Sequence, residues 1–215
     1  MAKIASHQPK KWQWLWRNSL QPDIQKTHSI FWFSATTLGR FPFEIYRISK
    51  SGPFWSKDDK ASRHTYNART ETVASKPSYR EPWKKRRYAL VPMAAFYEPD
   101  YETGKALRWK IERHDKRAFT VAAIWDFWKQ PTGEGLHSFS MLTINADDHP
   151  VMGRFHAPSD EKRSLVIVPP ERREAWLEAT PEEAKGFLVP MPAGEFTASP
   201  SPRATKVTGP KPDGG

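Results

Sequence analysis

The sequence predicts an α+β fold, mainly antiparallel strands in a curved sheet or barrel with short flanking helices. Two observations carry this. Between Tyr88 and Val168, short apolar or alternating runs are separated by turn residues, the pattern of strands joined by tight connections. Helix signals are short and few: a basic stretch around residue 80, and a pair of segments after Pro169.

In chain order, Pro77-Ser78-Tyr79-Arg80-Glu81-Pro82-Trp83-Lys84-Lys85-Arg86-Arg87 reads as a turn and a short basic helix. Tyr88 to Tyr97 is an apolar strand. Leu107, Trp109 and Ile111 alternate with Arg108, Lys110 and Glu112, which predicts a half-buried strand. His114-Asp115-Lys116-Arg117 is a turn, and Ala118 to Trp125 a buried strand returning from it. A loop at 130–135 leads to strands at Phe139 to Ile144 and Leu165 to Val168. Pro169-Pro170 opens a helix over Glu171 to Ala179. Thr180-Pro181-Glu182-Glu183 then has the capping-box pattern: Thr180 at the N-cap, Pro181 in the first turn and Glu183 at the third position. There are no internal repeats.

Residues 1–50 form a divergent N-terminal segment, 51–190 the main domain, and 191–215 a disordered basic tail rich in Pro, Gly, Ser and Thr. The first segment carries eight Lys/Arg against two Asp/Glu. Its Lys11-Trp12-Gln13-Trp14-Leu15-Trp16-Arg17 alternates tryptophan at period two, as one face of a strand would, and Ser29-Ile30-Phe31-Trp32-Phe33-Ser34 is an apolar run without caps.

The 215 residues carry a net charge of +10 and ten tryptophans but no cysteine. Positive charge favours polyanions through counterion release, and aromatics among basic residues suit unstacked bases of single-stranded nucleic acid. A basic soluble domain with an aromatic core has the same composition. Without cysteine there is no disulfide, no thiolate metal site and no thiol nucleophile. No apolar run has the length of a membrane helix and no secretory signal is visible, so a cytoplasmic monomer is expected, on the nucleoid in a bacterium.

Three groups of residues could carry chemistry. Asn67, Arg69 and Glu71, in Tyr66-Asn67-Ala68-Arg69-Thr70-Glu71-Thr72, would share one face of an extended segment. Arg69 could fork onto a phosphate, although the trio also reads as a solvated Arg–Glu loop. Glu98 closes the apolar run Leu90-Val91-Pro92-Met93-Ala94-Ala95-Phe96-Tyr97-Glu98-Pro99, where a low-dielectric setting would raise its pKa. A strand-end glutamate paired with a lysine is the simpler alternative. His156, in the loop Asn145-Ala146-Asp147-Asp148-His149-Pro150-Val151-Met152-Gly153-Arg154-Phe155-His156-Ala157-Pro158, is a proton carrier suited to neutral pH, with His149 as a competitor. Their spacing without a third ligand fits no common zinc site, and no metal or other cofactor is expected.

Taken together and in this order, Asn-Ala-Arg-x-Glu-Thr, Val-Pro-x-x-x-Phe-Tyr-Glu, Ala-x-Ile-Trp, Leu-Thr-x-x-Ala and the histidine loop resemble the abasic-site processing proteins, also called SOS-response-associated peptidases, over about residues 52–190. The likeness of Asp147 to His156 and Asp160-Glu161-Lys162-Arg163 to one branch of that family places its catalytic histidine at His156. Trp55, in Pro53-Phe54-Trp55, is similar to the family's aromatic at the DNA cleft.

The resemblance implies a peptidase- or hydrolase-type enzyme of the DNA-damage response, with lyase activity as a further expectation. In that family an N-terminal cysteine reacts with the ring-opened aldehyde of an abasic site in single-stranded DNA. Its amine forms an imine and its thiol closes a thiazolidine, cross-linking protein to DNA. Carried over, Asn67 would hold the N-terminal amine, Arg69 would grip a phosphate, Glu98 would shuttle protons and His156 would assist sugar-ring opening.

The family begins Met-Cys; this chain begins Met1-Ala2-Lys3, and Tyr88 stands where a cysteine is common. The cross-link is therefore expected to be impaired, leaving the amine of Ala2 as a source of a reversible imine. The alternative is a non-catalytic module binding single-stranded nucleic acid. Three origins would account for the break before residue 50: a shifted frame or misplaced start, a true loss of cross-linking, or a retained imine chemistry.

Overall fold

The computed structural model describes residues 66–129 and 135–202, except the side chains of 128–129 and 135–137, together with the backbone of two earlier strands. In chain order the strands are β1 (Ile30–Ser34), β2 (Glu44–Ile48), β3 (Asn67–Arg69), β4 (Tyr88–Met93), β5 (Ala95–Asp100) and β6 (Leu107–Arg113). They continue with β7 (Phe119–Lys129), β8 (Gly135–Asn145), β9 (Arg163–Leu165), β10 (Ile167–Val168) and β11 (Phe196–Pro200). Among the described residues three short α-helices, α1 (Arg80–Lys84), α2 (Arg173–Glu178) and α3 (Pro181–Lys185), flank them. Among the described residues no helix is long and apolar enough to cross a membrane.

The main sheet runs β2-β1-β4-β7-β8-β3. Its pairings are antiparallel except the parallel β3–β8 edge, and among the described residues this path does not close into a barrel. β4 lies between β1 and β7, which explains its unbroken apolar run: Tyr88 and Leu90 pack on one face, Ala89 and Val91 on the other. Pro92 is tolerated because β1 pairs only with Ala89 and Leu90, leaving the proline one neighbour, Thr120 of β7.

The strand expected over Tyr88 to Tyr97 is two strands in two sheets. A bend at Ala94 carries the chain from β4 into β5, which pairs with β6 in a second sheet of order β11-β6-β5. The strand expected over Leu165 to Val168 also divides. Leu165 pairs with Thr143 of β8, Ile167 with Val121 of β7, and Val166 bonds to both strands: its N–H donates to Leu142 O (3.1 Å) and its carbonyl accepts from Ala122 N–H (2.9 Å). Residues 163–168 are thus a wedge where β7 and β8 part.

The expected disordered tail begins too early. Phe196–Pro200 is β11, paired with β6 along its whole length, because Phe196 is buried against Phe119 with ring centroids 5.1 Å apart. In β6 the alternation is also incomplete. Leu107 is exposed, whereas Glu112 is buried and held by the ammonium groups of Lys110 (2.7 Å) and Lys116 (2.5 Å). The segment before residue 50 contributes β1 and β2 to the main sheet; the tryptophan-alternating stretch at 11–17 lies outside the described residues.

Two apolar layers cover the main sheet. One, including Val91, Val121, Ile111 and Phe155, fills the space toward the small sheet. The other, including Tyr88, Leu90, Ile124 and Trp176, lies under the helices. Trp176 on α2 is fully buried, 4.7 Å from the Tyr88 ring centroid, and its Nε1–H donates to Ala89 O (2.8 Å). The predicted capping box is present at α3: Thr180 Oγ1 accepts from Glu183 N–H (3.3 Å), and Glu183 Oε2 accepts from Thr180 N–H (2.8 Å).

Candidate active site

β5 carries the first residue of the candidate site, Glu98. Its pleat turns Phe96 and Asp100 inward and leaves Tyr97 outward and 44% exposed, which places Glu98 on the inner face. About a quarter of the Glu98 side chain meets solvent, yet burial pushes its carboxyl from 4.5 up to about 7. This is the direction expected of an acid at the end of an apolar run. Near neutral pH such a carboxyl is present in both forms, able to give or take a proton.

His156 reaches Glu98 from the loop after β8. The loop folds through a 3-10 turn at Met152–Arg154, where a Cβ on Gly153 would stand 2.8 Å from Asp147 O, so only glycine fits. Phe155 is completely buried, and a bridge joins it to Asp100. His156 then adopts φ +67°, a left-handed conformation costing about 1–2 kcal/mol for a non-glycine residue, while its N–H donates to Pro99 O (2.9 Å). Its Nδ1 lies 3.7 Å from Glu98 Oε2, and its buried Nε2 has no hydrogen-bond partner among the described residues. Burial lowers the His156 pKa, so both members of the pair favour their neutral forms.

His149 has a different duty. Its Nδ1 accepts from the N–H groups of Val151 (3.1 Å) and Met152 (3.0 Å), and its Nε2 lies 2.7 Å from Met191 O. That network assigns it the neutral tautomer protonated at Nε2, which ties the loop to the chain before β11.

β3 supplies Asn67 and Arg69, exposed on one face with Ala68 buried between them. Asn67 O accepts from Tyr79 Oη (3.1 Å), and the Asn67 amide has no hydrogen bond among the described residues. Arg69 is 62% exposed and pairs with Glu161 at 2.8 Å. Glu71 does not continue this face. Its carboxylate takes a fork from Arg163 (3.1 and 2.8 Å) and accepts from Asn145 N–H (3.0 Å). Burial opposes that charge, but the Arg163 hydrogen bonds prevail and the Glu71 pKa falls to about 2. Arg69 and Arg163 both reach the Glu161 carboxylate, from β3 and β9, which pair with β8 on opposite sides.

Glu98 and His156 are therefore in contact. The Arg69–Glu161 pair joins β3 to the segment that follows His156. Trp55 and Ala2 lie outside the described residues. Among the described residues no group of three or more His, Asp or Glu is placed to hold a metal ion. Sequence reading passed over Asp100, 2% exposed and paired with Arg154. Its position two residues after Glu98 on one strand was the available signal.

The chain is 30% identical over 152 residues to the abasic site processing protein YoqW of Bacillus subtilis, covering 68% of this chain and 63% of that protein. It is also 30% identical over 123 residues to the abasic site processing protein HMCES of Rattus norvegicus, covering 44% of this chain and 35% of that one. The chain thus spans about 63% of YoqW's length. A Bordetella bronchiseptica protein of known crystal structure superposes with a TM-score of 0.70 at 31% identity, over 80% of this chain and 83% of that one. A Bacteroides thetaiotaomicron structure shares the fold at 23% identity and a TM-score of 0.64, over 79% of this chain and 72% of that one. Residues 50–206 match the profile of one family, and the chain belongs to it: SOS response associated peptidase (SRAP).

Proposed function

We propose that this protein binds abasic sites in single-stranded DNA and forms a reversible imine with the ring-opened aldehyde. The observation that carries the reading is the Glu98–His156 pair: a carboxyl with a pKa near 7, 3.7 Å from an imidazole whose buried Nε2 lacks a partner among the described residues. An amine of the chain adds to the aldehyde carbon. Glu98 gives a proton to the departing hydroxyl, and water leaves as the C=N bond forms. His156 takes the proton of the sugar's C1 hydroxyl as the C1–O4 bond breaks and the aldehyde forms, O4 takes a proton from solvent, and Asn67 orients the amine. None of the 215 residues is cysteine, so the imine is not closed into a thiazolidine. It hydrolyses, or a base removes a C2 proton and the 3′-phosphate leaves as the C2–C3 double bond forms, which is the lyase outcome.

Borohydride trapping tests this. With an abasic oligonucleotide, the reduced adduct is expected with borohydride, and no heat-stable adduct without it. Peptide mapping of the trapped species identifies the amine. Absence of any trapped species while salt-dependent binding persists would overturn the imine and leave a non-catalytic single-stranded DNA-binding module.

Arg69 serves as the phosphate contact in this reading. Its exposed pair with Glu161 is of a kind typically worth about 0.2–1 kcal/mol, so a DNA phosphate can displace the carboxylate. Arg69→Ala should weaken binding several-fold and flatten the slope of log K against log salt by about 0.7, the share of one phosphate on a single strand. Fluorescence anisotropy at several salt concentrations measures both, and an unchanged slope would remove Arg69 from the contact.

A further inference from the structure

Glu98 and His156 sit on separate segments, and the Arg154 guanidinium ties those segments together through Asp100 and Glu102. Asp100 lies two residues after Glu98 on the same inward face of β5, and Arg154 lies two residues before His156. The Arg154 guanidinium bonds to Asp100 Oδ2 and reaches Glu102 Oε2 at 2.9 Å. It also stacks 4.3 Å from the ring centroid of Trp109, the residue paired with Glu98 across β5–β6. Asp100 Oδ1 is occupied as well, accepting from Glu102 N–H at 2.8 Å. Backbone contacts complete the join: the Asp100–Phe155 bridge, and the bond from His156 N–H to Pro99 O.

We infer that Asp100 and Arg154 are positioning residues that set the distance and angle between Glu98 and His156. This rests on the assignment of Glu98 and His156 to proton transfer. Neither clamp residue needs to touch DNA. His156 holds a left-handed backbone that an unrestrained loop would leave, and that conformation brings its ring to Glu98. A buried aspartate that lost its arginine, or an arginine that lost its aspartate, would draw water into the join and let the loop relax.

The test uses the full chain with labelled histidine and follows the His156 imidazole by NMR titration. The charges bearing on that ring are Glu98, Lys162, Asp160 and Arg163. In Asp100→Asn the loop hydrates, and the His156 midpoint should rise toward its ordinary value of 6.5. The trapping rate should fall roughly ten- to a hundredfold from misalignment, with DNA affinity unchanged within about twofold. Arg154→Lys keeps the charge but loses the planar fork, and should move both readouts in the same direction by less. Glu102→Gln changes only the exposed partner and should move neither. A lower melting temperature with an unchanged His156 titration would mean the pair is structural alone, and would overturn the inference. If Asp100→Asn does not fold, Arg154→Lys decides, and an unaltered titration there overturns the inference equally. Absence of trapping in the unmodified protein would count against the imine and leave the titration result standing.

Discussion

Glu98→Gln is expected to cut imine formation with an abasic aldehyde by about 10²–10⁴-fold, the usual contribution of a positioned proton donor. The same change should stabilise the protein in alkaline buffer. In the folded chain the Glu98 pKa is raised from 4.5 to about 7, so the folded state holds this proton more tightly than the unfolded state does. The resulting stability is complete below about pH 4.5 and is lost as pH rises through about 7. Above about pH 8 the wild-type chain carries a charge its surroundings disfavour, at a cost of up to roughly 3 kcal/mol, which glutamine removes. Urea unfolding at about pH 6 and pH 8.5 measures this: the wild-type midpoint should fall between the two while that of the variant stays nearly level. Equal slopes, or undiminished trapping, would mean that Glu98 does not hold the proton.

Trp176→Ala carries the largest expected loss of stability. Trp176 is fully buried between Tyr88 and Phe187, with ring centroids at 4.7 and 5.5 Å, and it fastens α2 to β4 through the bond to Ala89 O. Truncating a buried tryptophan typically costs about 3–5 kcal/mol, and removal of the indole also leaves a strand carbonyl without this donor. Trp176→Phe keeps most of the packing and should cost less. Denaturant midpoints of the two variants separate ring volume from hydrogen bond. A loss below about 1 kcal/mol in the alanine variant would show that the helical layer is not fastened at this point.

Local chemistry was the legible part of this fold. The period-two and apolar runs marked β6, β7 and β8, and Thr180 with Glu183 marked the start of α3, because each signal lies within a few residues of what it specifies. The bend at Ala94 has neither glycine nor proline to announce it, and the choice of sheet on either side is made by distant partners, Val121 for Val91 and Ile111 for Phe96. β11 was hidden in a proline-rich stretch because its strand signal is one buried phenylalanine matched to a strand more than 80 residues earlier. The candidate site divides in the same way. Glu98 was visible from the apolar run leading into it. Glu71 was not separable from Asn67 and Arg69, because its partner Arg163 lies 92 residues further on.

Arg69 and the Glu98–His156 pair stand in different surroundings, one exposed and the other mostly buried. Arg69 projects from β3 into solvent, where mobile ions attenuate its field within about 8 Å at physiological ionic strength. Glu98 and His156 sit largely buried and favour uncharged forms, so dissolved salt has little there to screen. Under the proposed function, ionic strength is expected to set how often a polyanion dwells on the surface, and acidity what the buried pair does once it arrives. Two solution variables address two places on one molecule, and varying them independently separates capture from chemistry without altering a residue.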